Sequence, residues 1–265
     1  MDYVPVLDIT SKAVDADRTF IIGDLHGCLR ELVTLLNKVN FDYERDLLIS
    51  AGDLVDRGPH SADVMMFCMH TLKNFYMVLG NHDDRFLRYL KGNKVKITHG
   101  LQTTIDSFAT WPIGVRDEVK DYLTKQPYIL KVANDYIVHA GINPTHPMVR
   151  QFKQDCLYSR YFGGKDYFDN EKGQYWYKSV GELHKGNRIF FGHEVHPDCY
   201  KVMDNVFALD GGCVFGNELR MWNLNSDTLH TVPAFKCYSG THNFNPDEHL
   251  DRSRAHFKEN VAKGL

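Results

Sequence analysis

Six short apolar runs in this chain stop at a glycine-bearing turn that carries Asp, Asn or His. "TFIIGDLHG" ends on Asp24 and His26, and "LLISAGDLVDRG" on Asp53, Asp56 and Arg57. "FYMVLGNHD" ends on Asn81, His82 and Asp83. "YIVHAG", "IFFGH" and "FALDGG" end on His139, His193 and Asp210. Length and β-branched or aromatic content predict strands at 19–23, 46–51, 75–79, 135–139, 188–191, 205–209 and 218–224. In layered α/β proteins, ligands bind at the carboxyl ends of strands. The pattern therefore predicts one site built from many strand tips.

Helical patterns fill the gaps between the early strands. In "CLRELVTLLNKV", Leu29, Leu32, Val33, Leu36 and Val39 share one face. "SADVMMFCMHTLK" reads as a second helix with Ser61 as its cap, and "HDDRFLRYLKG" as a third ending at Gly92. Strand–helix alternation followed by strands with less helix between them predicts two mixed β-sheets packed as a central sandwich flanked by helices. Residues 143–187 are rich in Tyr, Phe, Gly and Lys and read as a cap insertion over the strand tips. The expected organisation is a catalytic domain over 1–235 and a C-terminal extension, loop and helix, over 236–265.

A chain of 265 residues can bury a sizeable core without staples. Its net charge of −3 gives no global basic field, so no stable nucleic-acid partner is expected. The six cysteines are scattered and form no C-x-x-C pair, which argues against a disulfide framework or a zinc knuckle. Reduced thiols, an acidic N-terminus without a signal core and no membrane-length apolar run predict a cytoplasmic protein with no membrane partner.

The donors gathered at the strand tips are carboxylates, an amide and imidazoles, with no sulfur. Such sets suit Mn, Fe, Zn and related ions rather than a thiolate-bound structural zinc. The ordered motifs G-D-L-H-G (23–27), G-D-L-V-D-R-G (52–58), G-N-H-D (80–83), H-A-G (139–141) and G-H (192–193) resemble the calcineurin-like metallophosphoesterases. More narrowly they resemble the phosphoprotein phosphatase superfamily, with its phage-lambda-type phosphatases and symmetrical diadenosine tetraphosphatases. "GNHDDRFLRYLKGNKVKITHGLQTT" and "ALDGGCVFGNEL" are similar to the phosphatase module of bacterial polynucleotide kinase-phosphatases.

The resemblance implies two divalent cations, manganese first, with Ni, Fe, Zn or Mg as alternatives. Asp24, His26 and Asp53 would hold one. Asp53 would bridge to the second, completed by Asn81, His139 and His193, with Asp210 as a further candidate. Arg57 and Asn81 would bind substrate phosphate, and His82, paired with Asp56, would act at the leaving group. A second phosphate-binding arginine is expected from the cap, Arg160 before Arg188. The nearby Asp56 carboxylate predicts that His82 stays protonated at neutral pH. Asp83 reads as a helix-start acid and His99 as structural.

These parts predict a hydrolase of phosphomonoesters working by direct attack of a metal-bound hydroxide. Its substrate would be protein phosphoserine or phosphothreonine, or a terminal phosphate of a nucleotide or polynucleotide. Hydrolysis of dinucleoside polyphosphates such as diadenosine tetraphosphate is the alternative within enzymes. A catalytically degenerate metal-binding module is the alternative outside them. The cap's interleaved aromatics and basic residues would either stack bases or pack on themselves, and packing is the simpler expectation.

Overall fold

The computed structural model of the chain describes residues 2–239. The chain opens with β1 (Val6–Asp8), α1 (Thr10–Asp15), β2 (Thr19–Ile22) and α2 (Leu29–Lys38). It continues with β3 (Leu47–Ser50), α3 (Ser61–His70), β4 (Asn74–Met77) and α4 (Asn81–Leu90). Two helices, α5 (Leu101–Ala109) and α6 (Ile113–Thr124), precede β5 (Ile129–Val132) and β6 (Asp135–Val138). The cap region contributes α7 (Lys153–Tyr158) and a small hairpin, β7 (Tyr161–Phe162) with β8 (Gln174–Tyr175). Last come β9 (Arg188–Phe191), β10 (Lys201–Met203), β11 (Val206–Ala208), β12 (Glu218–Asn223) and β13 (Thr228–Pro233).

The strands form the two mixed sheets that the sequence predicts. One has the order β13-β12-β2-β3-β4, the other β1-β5-β6-β9-β11-β10. In the first, β2, β3 and β4 run parallel and β12 joins antiparallel. In the second, β6, β9 and β11 run parallel. Strand alternation explains how two sheets share one core. Ile21, Ile49 and Trp222 of the first sheet meet Leu130, Ile137, Phe190 and Phe207 of the second in a central layer. Phe20, Ile22 and Leu48 point the other way, onto the helices. Ile189, Phe191, Val206 and Ala208 point onto Trp176 and Tyr177 of the cap.

Phe190 sits fully buried in that layer, stacked on Phe207 at 4.8 Å. Phe190→Ala is expected to cost about 3–5 kcal/mol. The check is a lower denaturant midpoint at unchanged m-value; an unmoved midpoint would contradict a shared sandwich core.

All seven expected strands appear, each within two residues of its predicted ends. The sequence reading missed β1, β5, β7, β8, β10 and β13, and the helices α1, α5, α6 and α7. Among the described residues no helix is long and apolar enough to cross a membrane. The helix expected in the C-terminal extension lies outside the described residues.

Candidate active site

Parallel strands point their carboxyl ends the same way, so their tips gather at one edge of the sandwich. Asp24 and His26 follow β2, Asp53 follows β3, and Asn81 and His82 begin α4 just past β4. From the other sheet, His139 follows β6, His193 follows β9 and Asp210 follows β11. All are buried except His193, which is half-buried.

Asp53 lies at the centre. Its Oδ2 is 3.6 Å from His26 Nε2, 3.4 Å from His139 Nε2 and 4.0 Å from His82 Nε2. His26 donates its Nδ1 proton to the Val55 carbonyl (2.7 Å), and His139 donates its own to the Ala51 carbonyl (2.9 Å). Each therefore turns an Nε2 lone pair toward the same carboxylate oxygen. Asn81 Oδ1 stands 2.8 Å from His139 Nε2 and 3.1 Å from His193 Nδ1. Asp24 Oδ2 is 3.8 Å from His26 Nε2, and both Asp24 oxygens accept from the His193 backbone N–H. Around Asp53, lone pairs face lone pairs with ring orientation fixed by backbone carbonyls, and the groups His26–Asp53–His82 and Asp53–His139–His193 are each close enough together to hold a divalent cation.

The backbone around this cluster is unusual. His26, Asp53, Asp56, Arg57 and His193 all hold left-handed φ angles, between +43° and +73°. Non-glycine residues avoid that region, and it concentrates at sites where the surrounding structure imposes it. Two glycines let the carboxylates close in. A Cβ on Gly192 would meet Asp24 Oδ1 at 2.0 Å, and one on Gly80 would meet Asp53 Oδ1 at 2.2 Å.

Burial dominates the electrostatics. It pushes Asp53 up to about 7 and Asp24 well above the carboxylate range, Asp24 further raised by Asp210 and Asp53. It pulls His26 and His193 well down and His139 to about 4. The expected His82–Asp56 pair forms, with Nδ1 2.6 Å from Oδ2. Its protonation departs from expectation: burial, Arg57 and His26 pull the His82 imidazole well below its usual range. Burial also lifts Asp56 to about 7. Desolvation of a fully enclosed imidazole outweighs one neighbouring carboxylate.

A family model described as calcineurin-like phosphoesterase matches residues 18–210. The chain belongs to that family. This phosphoesterase is 31% identical over 243 residues to the asymmetrical bis(5'-nucleosyl)-tetraphosphatase PrpE of Halalkalibacterium halodurans, spanning 81% of this chain and 93% of that one. It is 27% identical over 268 residues to the symmetrical bis(5'-nucleosyl)-tetraphosphatase of Neisseria meningitidis, spanning 81% and 95%. A crystal structure provisionally assigned as a diadenosine tetraphosphatase superposes with a TM-score of 0.73 at 27% identity, covering 88% of this chain and 99% of that one.

Other parts of the phosphoesterase site were not legible beforehand. Asp83 does more than begin α4. Its carboxylate accepts from the backbone N–H groups of Asp53 (2.8 Å), Leu54 (3.1 Å) and Gly80 (3.1 Å), clamping the β3 and β4 turns together. Thr104, buried on α5, donates its hydroxyl to Asp56 Oδ1 at 2.6 Å and accepts from the Asp56 N–H at 2.8 Å. The turn at His99 and Gly100 backs Arg57, whose N–H donates to the Gly100 carbonyl. Arg57 in turn contacts His26 Nε2 and lies over the Phe215 ring.

The two candidate phosphate-binding arginines part company. Arg160 reaches the site, with Nε 3.4 Å from His193 Nε2. Arg188 does not. It begins β9, at the far end from His193, and forks onto Asp135 with two 2.7 Å bonds while also pairing with Asp227. The cap tyrosines stack on one another, Tyr161 on Tyr175 at 5.0 Å and Tyr175 on Tyr177 at 5.1 Å. That arrangement matches the self-packing expectation.

Proposed function

We propose that this phosphoesterase hydrolyses a phosphoanhydride bond of dinucleoside polyphosphates. The observation that carries this reading is the likeness, over nearly the whole length of the relatives, to proteins named as bis(5'-nucleosyl)-tetraphosphatases. It reverses the order of the sequence expectations, in which phosphomonoesters came first. Two guanidiniums at the centre, Arg57 against His26 and Arg160 against His193, suit a chain of several phosphates.

In this reading Asp24, His26 and Asp53 hold one divalent ion, and Asp53, Asn81, His139 and His193 the other, manganese first in order. Asp210 adds negative charge beside Asp24. When bound, the ions supply Lewis acidity at the phosphoryl oxygens and acidify water. The chain's own residues do the rest. Asp53 fixes the spacing of the two ligand sets. Arg57 and Arg160 orient the phosphates. His82, tied at Nδ1 by Asp56, presents Nε2 to the leaving oxygen. A polyphosphate brings negative charge that raises the His82 pKa again, so that it can give a proton there.

The test is a matrix of Mn²⁺, Ni²⁺, Mg²⁺ and Zn²⁺ against diadenosine tetraphosphate, a phosphoserine peptide and a 3'-phosphorylated oligonucleotide. The highest kcat/KM is expected for the dinucleotide. Products then report the cut: ATP with AMP for an asymmetric one, two ADP for a symmetric one. A preference of tenfold or more for either monoester would sink this reading and restore the phosphomonoester one. Inertness with every metal would favour a degenerate module.

A further inference from the structure

Cysteine spacing argues against a thiolate site, but the fold brings two distant cysteines together. Cys28 follows the His26 loop and caps the start of α2, while Cys213 opens the short 3-10 turn Cys213–Phe215 after Asp210. Glu31, three residues past Cys28, lies on the same side of the first turn of α2. Cys28 Sγ, Cys213 Sγ and a Glu31 carboxylate oxygen all lie within 4.8 Å of one another. The three residues are at most 2% exposed, and none belongs to the phosphoesterase centre.

The Glu31 carboxylate is half-satisfied. Its Oε1 accepts from the Phe235 backbone N–H at 2.9 Å and from the Tyr238 hydroxyl at 2.8 Å. Its Oε2 is buried and has no hydrogen-bond partner. Buried polar atoms in folded proteins nearly always have one, so an orphan oxygen on the carboxylate that completes this triad points to a missing ligand. The ligand chemistry is that of a cation with affinity for both sulfur and oxygen.

We propose that Cys28, Cys213 and Glu31 bind a zinc-class divalent ion, separate from the cations of the phosphoesterase centre. Two thiolates and a carboxylate select Zn²⁺ or Cd²⁺ over Mg²⁺ and Mn²⁺. Sulfurs sharing a tetrahedral zinc sit about 3.8 Å apart, so the triad needs to close by no more than roughly 1 Å. Binding forms two metal–sulfur bonds and releases two thiol protons to water, and a water molecule takes the fourth position. Phe235 and Tyr238 already orient the carboxylate, as outer partners of metal ligands do. The ion would join the His26 loop, the turn after Asp210 and the segment beyond β13 from behind the active site.

The experiment titrates the full chain with Cd²⁺ in excess Mn²⁺ and follows the ultraviolet charge-transfer band of cadmium–thiolate bonds. The phosphoesterase centre has no sulfur, so the band reports on cysteines alone, and its failure leaves the proposed hydrolysis untouched. One equivalent of Cd²⁺ is expected to saturate the band. It should persist in the double variant Cys199→Ser, Cys237→Ser and vanish when Cys213→Ser is added. Glu31→Gln removes a direct ligand's charge and should weaken binding by at least the roughly 10–100-fold that loss of a ligand's outer partner costs. In the unaltered chain, one equivalent of Zn²⁺ should slow alkylation of Cys28 and Cys213 at least tenfold where Mn²⁺ does not, which needs no buried substitution to fold. No band, a band that survives Cys213→Ser, or alkylation rates indifferent to Zn²⁺ would each overturn the site.

Discussion

Asp53→Asn is expected to lower kcat/KM on diadenosine tetraphosphate by more than about 100-fold. Loss of a mere outer partner of a metal ligand costs about 10–100-fold, and the Asp53 Oδ2 faces both His26 and His139. The amide keeps the shape and can still accept the His82 N–H at the Oδ1 position, 2.9 Å away. Folding should therefore persist while the charge between the two ligand sets is gone. Elemental analysis is expected to find at least one manganese fewer per chain. Activity within fivefold of the unaltered protein, at full metal content, would place the bridge elsewhere.

His82→Ala is the second large effect. A positioned general acid contributes about 10²–10⁴-fold, and the loss should fall on kcat rather than KM. Its size should depend on the leaving group. A nucleotide phosphate leaves as a stable anion and needs a proton less than an alkoxide does, so the drop should sit near the lower end for an anhydride. It should be larger for an alkyl phosphate. Asp56→Asn should act in the same direction but less, because it loosens the 2.6 Å tether on Nδ1 without removing Nε2. Equal losses on both substrates would falsify the proton-transfer role and leave His82 as a positioning group.

The strand tips were legible in the sequence because a buried strand must end in a sharp turn, and glycine beside Asp, Asn or His marks that turn. Edge strands were harder. β1 is only Val6–Asp8, and β13 carries His230 among threonines, so neither shows a clean apolar run. Arg188 misled because an arginine's type says nothing about which end of a strand it occupies; here it precedes β9, whereas ligands gather past its end. Thr104 lies 48 residues from the Asp56 it supports, and its type carries no signal of its own. The same holds for Cys28 and Cys213, whose meeting depends on β2 and β11 ending at the same edge of the sandwich. His82 shows the limit of pairwise electrostatic reading: the partner was foreseeable, the depth of burial was not.

The proposed ligands follow strands of both sheets, Asp24, Asp53 and Asn81 those of one and His139 and His193 those of the other. With that ligand set, cation affinity would also be docking affinity between the two halves of the sandwich, since an ion held by both is lost when they separate. Amide hydrogen exchange should register this at a distance. Protection is expected to rise on metal loading along β6 and β9 as well as along β2 and β3, including at amides that touch no ligand. A chain whose sheets come apart has no partial active site to offer, so hydrolysis and the closed sandwich should disappear together as denaturant rises.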